Sequence, residues 1–139
     1  MFVMVQVFIV KMPELVESSA WRVELNPNQQ HSGRAFVGLR EHKPSLSDLQ
    51  PDELKEWHRV ARALEIGTRV AFGPKVLNWM CLMNNAVRDG QETHVHWHMV
   101  PRYDRSVDFN DRTYTDDAYP RQYNTGNDVP HTLLLSRIL

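Results

Sequence analysis

Alternation of apolar and polar residues predicts strands in the first third of this chain. Short strands are expected over 13–16, Ala20 to Leu25 and Arg34 to Arg40. In Ala20 to Leu25 the apolar side chains fall on every second residue, which is the period of a strand with one buried face. Residues 26–33 carry Asn, Pro, Gln, Ser and Gly, and this turn chemistry predicts a loop.

One long helix is predicted from Pro51 to Phe72. Proline suits the first helical position, and the two acidic residues that follow it lie where the helix dipole favours negative charge. Apolar residues then recur at helical spacing and form a stripe that needs a sheet to cover. Gly73 and Pro74 end the helix. The predicted stripe consists of Leu54, Trp57, Val60, Ala61, Leu64, Val70 and Ala71.

After the helix, the pattern of residues predicts a hairpin and then a long polar loop. Val76 to Met83 is apolar enough for a central strand that ends at Asn84 and Asn85, and residues 88–91 have the character of a turn before the next strand. Residues 104–128 are polar without a sustained period, which predicts a loop. The apolar ends of the chain, 2–10 and 131–139, are expected to pack on this subunit or on a partner.

The strand predicted after this turn carries three histidines at alternate positions, His94, His96 and His98. Alternate residues of a strand share one face, about 6.6 Å apart at each step, so the three imidazoles are expected to form a row. The apolar residues between them would then point into a core. Pro101 has no donor N–H and suits the end or the edge of a strand.

The composition of the chain says more about its possible binding partners than about its fold. The chain has 139 residues, of which 42% are hydrophobic and 24% charged, and this is typical of one globular domain. A net charge of −1 gives no global attraction to a nucleic acid polymer or an anionic membrane, so any phosphate binding must be local. Cys81 is the single cysteine and is expected to be a buried, inert thiol. Without a cationic leader or about 20 consecutive apolar residues, the chain is expected to be cytoplasmic.

A row of histidines on a strand has three explanations. It can be structural, or two of the imidazoles can bind one zinc ion, with Asp104, Asp108 or a distant residue as a further ligand. The third explanation is nucleophilic catalysis, because neutral imidazole attacks phosphorus well near pH 7 and the phosphoramidate that forms can be hydrolysed again.

The segment from His94 to Val100 fits the His-φ-His-φ-His-φ-φ signature of the histidine triad (HIT) superfamily at every position, where φ is apolar. The chain resembles this family, and in particular its prokaryotic dinucleoside-polyphosphate-hydrolase-like branch, over about residues 20–103. Further similar segments are Leu25-Asn26, Gly33-Arg34, 40–43, 46–49, 51–53, 72–74, Asn78-Trp79 and 82–85.

The resemblance implies a single HIT domain over 1–139, with a core of about 13–103 and a C-terminal loop and tail over 104–139. The implied α+β fold has a five-stranded antiparallel sheet, one long and one short helix, and a sheet that continues across a homodimer. The implied reaction is attack on the α-phosphorus of a nucleoside phosphoanhydride or phosphoramidate, through a nucleotidyl-histidine. No cofactor would be required, although a divalent cation could accompany the substrate.

The resemblance also implies a role for individual residues. His96 would be the nucleophile, His98 would bond the phosphate oxygens, and His94 and His42 would orient and polarise the row. The residues implied to bind the nucleotide are Asn26 at the ribose, Val23 and Leu25 near the base, and Asn84, Gln91 and the Gly90 backbone at phosphate. His31 and His58 match nothing in the family and are expected to be structural or exposed. The alternatives are a nucleotide-binding or signalling module with weak catalysis, and a zinc hydrolase.

Overall fold

A computed structural model describes residues 16–109 and 111–122 of the chain, without the side chain of residue 109. The predicted packing of segments 2–10 and 131–139, and nearly all of the strand predicted over 13–16, lie outside the described residues. Within them, none of the helices has both the length and the apolar composition needed to cross a bilayer.

The main sheet has four strands, which are β1 (Trp21–Leu25), β2 (Ala35–Leu39), β3 (Val76–Met80) and β4 (His96–Arg102). Their order is β1-β2-β4-β3, and every neighbouring pair is antiparallel. The described residues therefore form four strands of this sheet and not the five that were predicted. Before β1, the hydroxyls of Ser18 and Ser19 each donate to Glu56 of the long helix at 2.6 Å, so this segment turns onto the helix instead of extending the sheet.

Strand β3 differs from its prediction in both position and length. It lies at the edge of the four strands, not in the centre, because β4 has β2 on its other side. It ends at Met80, and Asn84 begins a short helix, α2 (Asn84–Arg88), instead of ending the strand. The antiparallel pairing of β3 with β4 is confirmed, with Asn78 opposite Val100.

Helix α1 (Pro51–Phe72) has the predicted bounds. Gly73 follows in the left-handed conformation, with φ of 61°, and its N–H donates to the Arg69 carbonyl at 3.0 Å. The buried residues of α1 are Val60, Ala61, Leu64, Thr68 and Phe72. They confirm three of the seven residues of the predicted stripe, and two more, Trp57 and Ala71, are half-buried. Leu54 and Val70 are 46% and 84% exposed, because their positions on the helix turn them away from the sheet.

The loop between β1 and β2 is built around the amide of Gln29, which is fully buried. Its nitrogen donates to the carbonyls of Asn26 and Arg34, both at 2.7 Å, and its oxygen accepts the N–H of Gly33 at 3.0 Å. A buried amide with its polar atoms bonded stabilises the loop that holds it. The loop was predicted, whereas its buried centre was not.

The polar segment after residue 103 is partly ordered, in contrast to the predicted loop over 104–128. Strands β5 (Val107–Phe109) and β6 (Arg112–Tyr114) form a separate two-stranded sheet. Beyond them, Asp116 accepts hydrogen bonds from Arg102 at 2.5 and 3.1 Å, and these two side chains are only 2% and 3% exposed. His31 is also buried, with its Nδ1 at 3.6 Å from Asp116. It was predicted to be structural or exposed, and the structural role is confirmed.

This buried pair predicts how the protein responds to loss of one charge. Burial works to raise the pKa of Asp116, but the hydrogen bond from Arg102 and the charges of His31 and Arg102 hold that pKa below its usual value. Asp116→Asn should lower the free energy of unfolding at pH 7 by about 3–5 kcal/mol, because the Arg102 charge is then left buried without a counter-charge.

Urea denaturation at several pH values tests this prediction. The stability that Asp116 contributes is present above the pKa of an unfolded aspartate and is lost as the pH falls through the lower pKa of the folded state. The free energy of unfolding should therefore differ less between pH 7 and strong acid in Asp116→Asn than in the wild type. The matched control is Asp117→Asn, which changes an exposed neighbour. Equal stability of the two variants at pH 7 would contradict the prediction.

Candidate functional site

The pairing of β1, β2 and β4 defines one face of the sheet, which we call the histidine face. His96 lies opposite Gly38 and His98 opposite Phe36. On β1, Arg22 and Glu24 lie opposite the same two residues of β2 and complete the face. The other face carries Val37, Trp97 and Met99 and packs with α1 in the hydrophobic core.

Gly38 and Phe36 shape the surface on which the imidazoles lie. A Cβ atom at Gly38 would meet the Phe36 ring at 2.9 Å, so the ring occupies space that any other residue would need. The Phe36 ring stacks on His96 at a centroid distance of 5.0 Å and meets His98 edge-on at 5.7 Å. Phe36 was predicted only as a packing residue of β2. Its position two residues from Gly38 is the signal by which it could have been found.

His94 does not lie on β4 as predicted, because the strand begins at His96. Its Nε2 is 2.7 Å from the Leu39 carbonyl oxygen, and its Nδ1 faces the backbone N–H of Lys43 at 3.4 Å. A carbonyl only accepts and an N–H only donates, so both contacts are satisfied by the neutral imidazole with its proton on Nε2. The ring is therefore held by the backbone at both nitrogens.

His96 is oriented by a backbone carbonyl. Its Nδ1 is 2.7 Å from the carbonyl oxygen of His94, which requires a proton on Nδ1. In the neutral ring, the lone pair then lies on Nε2. An imidazole whose tautomer is set in this way and whose other nitrogen carries the lone pair has the form of an activated nucleophile.

His98 lies edge-on to His96, with ring centroids 4.9 Å apart. Burial, together with the charges of His96 and Arg34, lowers the pKa of His98 to about 4. The ring is therefore neutral at pH 7. Among the described residues, its buried Nδ1 has no hydrogen-bond partner. This ring can offer a neutral N–H to a bound group but no positive charge.

His42 meets His94 and not His96. The His42 and His94 rings stack at a centroid distance of 5.1 Å and an angle of 14°. On its other side, the Nε2 of His42 lies 3.3 Å from the Glu92 carboxylate, and both side chains are more than half exposed. Any influence of His42 on His96 must therefore pass through His94.

The predicted ribose contact and the predicted base contacts fall on opposite faces of the sheet. The Asn26 N–H donates to the Arg34 carbonyl at 3.0 Å, which continues the β1–β2 pairing and places Asn26 on the histidine face. Its side-chain oxygen accepts the N–H of Asn28 at 2.9 Å. Leu25 and Val23 are buried on the α1 side, so the structure does not bring them to the imidazoles. Alternation along the strand is the reason, since it puts Leu25 with Ala35 against the core.

The predicted phosphate contacts lie in or just after α2. Asn84 and Gln91 are exposed, and the Gly90 N–H already donates to the Val87 carbonyl at 3.2 Å. Nearby, Glu92 pairs with His42, and the Thr93 hydroxyl donates to the Pro44 carbonyl at 3.1 Å. The predicted phosphate role of Asn84, Gly90 and Gln91 stays a prediction, and a Gly90 contact would require the bond to Val87 to be exchanged.

Arg34 was predicted as the first residue of a strand and had no individual role. It precedes β2 by one residue and is half-buried. Its charge acts on His98, as described above.

Among the described residues, no group of three His, Cys, Asp or Glu side chains is placed to share a metal ion. Cys81 is half-buried, and burial raises its thiol pKa.

The fold and this face define a HIT-like α+β protein, and solved structures with the same fold are HIT proteins. A HIT family protein from Bacillus anthracis is 25% identical with a TM-score of 0.54, over 63% of this chain and 62% of that one. A histidine triad protein from Sinorhizobium meliloti is 16% identical with a TM-score of 0.65, over 90% and 85%. A hypothetical histidine triad nucleotide-binding protein from Sulfolobus tokodaii is 18% identical with a TM-score of 0.63, over 89% and 78%.

These structural matches support the HIT superfamily for this chain. The aligned part spans about three-fifths of the length of the Bacillus anthracis protein. No family model matches the sequence, and no curated protein matches it. The matches do not distinguish the dinucleoside-polyphosphate-hydrolase-like branch from others.

The burial of His98 predicts the pH at which its imidazole takes up a proton. NMR of ring-labelled protein should give a midpoint about pH 4 for His98, assigned by the loss of its signal in His98→Gln. Because this pKa is lower than that of an unfolded histidine, the unfolded chain binds the proton first as the pH falls below about 6.5. The contribution of His98 to stability should thus decrease from pH 6.5 towards pH 4.

Urea denaturation of wild type and His98→Gln at pH 7 and pH 5 measures the second part of this prediction. The wild type should lose more stability between these two pH values than the variant does. A His98 midpoint near 6.5, with equal losses in both proteins, would show that the ring is not desolvated as described.

Proposed function

We propose that this chain is a nucleotide hydrolase or nucleotidyl transferase that attacks the α-phosphorus of nucleoside phosphoanhydrides or phosphoramidates, such as dinucleoside polyphosphates. The observation that carries the proposal is the contact between His96 Nδ1 and the His94 carbonyl at 2.7 Å. It leaves the lone pair on Nε2 and keeps this nitrogen on the histidine face, next to a second imidazole.

The proposed reaction has two displacements at one phosphorus. In the first, His96 Nε2 forms a bond to the α-phosphorus while the bond to the leaving group breaks, and the leaving group takes up a proton. In the second, water or another acceptor attacks the same phosphorus, loses a proton and releases His96. The His94 carbonyl accepts the hydrogen bond from the His96 Nδ1–H throughout and stabilises the positive charge that the ring gains on attack.

The remaining predicted residues support these displacements. His98 donates a neutral N–H to a phosphate oxygen, and His94 with His42 keeps the carbonyl of residue 94 in place. Asn26 would meet the ribose hydroxyls, for which its Oδ1 would exchange the bond to the Asn28 N–H. Asn84, Gly90 and Gln91 would hold the phosphates.

A second candidate function is a nucleotide-binding or signalling module with weak catalysis. The name of the Sulfolobus tokodaii protein describes it as nucleotide-binding, and both functions would use the same face of the sheet. The two differ in whether a covalent adduct forms. Incubation with a labelled dinucleoside polyphosphate, stopped by denaturation at alkaline pH where a nucleotidyl-histidine persists, separates them, since only the enzyme retains label on the denatured protein.

We further propose that the reaction requires no cofactor. Both ring nitrogens of His94 face backbone groups, so this histidine could bind zinc only by giving up one of these contacts. Activity that survives a chelator, in protein without stoichiometric zinc, is the expected result. Loss of activity on chelation, with recovery on addition of zinc, would support the zinc hydrolase. A cytoplasmic location, without a nucleic acid polymer or membrane as partner, belongs to the same proposal.

A homodimer joined along β3 is the proposed assembly. This strand lies at the edge of the four described strands, where unpaired backbone groups can accept another strand. Apolar side chains next to this edge are exposed, namely Ile66 by 51% and Val76 by 43%. Ile66 lines an open groove between α1 and β3, together with Trp57 and Trp79. A second copy of the chain would cover these residues and extend the sheet.

The nucleophile is tested by His96→Asn. This variant should lower the turnover of diadenosine tetraphosphate by at least about 10³-fold and abolish the alkali-stable nucleotidyl adduct, while AMP binding remains measurable. The matched control is His58→Asn, which changes an exposed histidine on α1. Near-full activity of His96→Asn would show that the covalent mechanism is wrong.

The dimer is tested by analytical ultracentrifugation. The wild type should sediment with twice the 16.3 kDa mass of one chain, and Ile66→Asp/Val76→Asp should weaken the dimer by more than about tenfold, since two charges would be buried at the interface. Val87→Asp, at an exposed apolar residue of α2, is the control. A wild type that remains monomeric at high micromolar concentration would rule out this assembly.

A further inference from the structure

The backbone places Arg34 on the histidine face, beside Asn26 and diagonal to His98. Ala35 lies opposite Met99 on the core side of the sheet, so the residue before it points to the other side. The Arg34 carbonyl accepts the Asn26 N–H at 3.0 Å, which makes the two residues cross-strand neighbours. On the side towards β4, the register continues to the buried Val100, and His98, opposite Phe36, is the diagonal neighbour on the same face.

The chemistry at His96 favours a positive charge at this position. Attack on the α-phosphorus concentrates negative charge on the non-bridging oxygens, and fixed charges close to those oxygens stabilise the transition state most. His98 is a neutral ring at pH 7 and does not supply that charge. An arginine stays protonated at every working pH, and its planar fork can bond two oxygens of one phosphate.

Other cations near this face are less well suited, and one of them is Arg40, whose Nε donates to the Ser18 carbonyl at 3.1 Å. The Arg102 guanidinium is bound to Asp116 and to the Arg121 carbonyl in a buried cluster. Arg22 is exposed and pairs with Glu24 at 3.5 Å, so a carboxylate accompanies its charge. The charge of Arg34 acts directly on the imidazole of His98 and enters the face at the side where the proposed ribose contact lies.

We propose that Arg34 binds the non-bridging oxygens of the α-phosphate during attack by His96, and that it thereby selects nucleotides over nucleosides. This inference rests on the proposed function of the histidine face and adds a catalytic residue to it. The position also sets the orientation of the substrate, with the ribose towards Asn26 and the leaving group beyond His96.

A purely structural role is the competing explanation. The charge of Arg34 also acts on His31 in the buried cluster with Asp116, so the side chain could serve only to stabilise that cluster. The two roles differ in what they recognise. A phosphate ligand distinguishes AMP from adenosine, whereas a structural role changes the affinity for both, or changes stability alone.

The experiment compares Arg34→Gln and Arg34→Lys with the control Arg112→Gln, which changes an exposed arginine on β6. Calorimetry with AMP and with adenosine, turnover of diadenosine tetraphosphate, and thermal denaturation are measured for each protein. Arg34→Gln should weaken AMP binding by more than about tenfold, leave adenosine binding within about twofold, and lower kcat/KM by about 10²-fold or more. Arg34→Lys should retain part of the activity, because it keeps the charge without the fork.

Chemical rescue separates the missing group from a disturbed fold. Guanidinium chloride, at a concentration that leaves the protein folded, should restore part of the turnover to Arg34→Ala and none to His96→Asn. Equal losses of AMP and adenosine affinity in Arg34→Gln, AMP affinity within twofold of the wild type, or absence of rescue would each overturn the proposal.

The outcomes also distinguish this inference from the proposed function. If the wild type forms the nucleotidyl adduct and Arg34→Gln forms it at the same rate, the Arg34 proposal fails and the proposed function stands. If the wild type forms no adduct and prefers AMP over adenosine, and if Arg34→Gln lacks that preference, the phosphate contact stands and the enzymatic function fails.

Discussion

Burial of one face of the four-stranded sheet beneath α1 is the constraint on which the site depends. Strand residues alternate between two faces, so the burial of Trp97 and Met99 against the helix leaves His96 and His98 on the opposite face. The same constraint places Phe36 and Gly38 beneath the imidazoles. A shift of β4 by one residue would exchange the two faces and bury the imidazoles in the core.

The backbone determines which atom of the row can react. Carbonyl and N–H groups of residues 39, 43 and 94 set the tautomers of His94 and His96, and the free lone pair of His96 follows from them. One of these groups ends β2 and another, the Lys43 N–H, lies in the chain that joins β2 to α1, so the chemistry of one strand depends on neighbouring segments. Burial acts on His98 in a different way, since it removes the charge that an exposed imidazole could carry.

Two buried polar groups anchor the segments around the site. Gln29 organises the loop that leads to Arg34 and β2, and the Arg102–Asp116 pair attaches the polar C-terminal segment to the end of β4. Neither contact joins residues that a pattern in the sequence relates. A glutamine in a turn-rich segment predicts an exposed loop, and an aspartate in a polar segment predicts solvent. The partners of Gln29 lie within five residues of it, but the burial of its amide depends on how this loop packs in the folded chain. Asp116 is buried against Arg102, which lies 14 residues away.

The sequence by itself determined the local elements and the class of fold. The bounds of α1, the strands β1 and β2 and the face of His96 and His98 follow from periodicity and end signals, which are properties of neighbouring residues, and the triad motif with its flanking segments pointed to the HIT fold. The tertiary structure decided the rest. It placed β3 at the edge and His94 outside β4, separated Leu25 from the imidazoles, and brought Arg34 beside His98. These features depend on strand order and on contacts between residues far apart in the chain, for which a local pattern carries no signal.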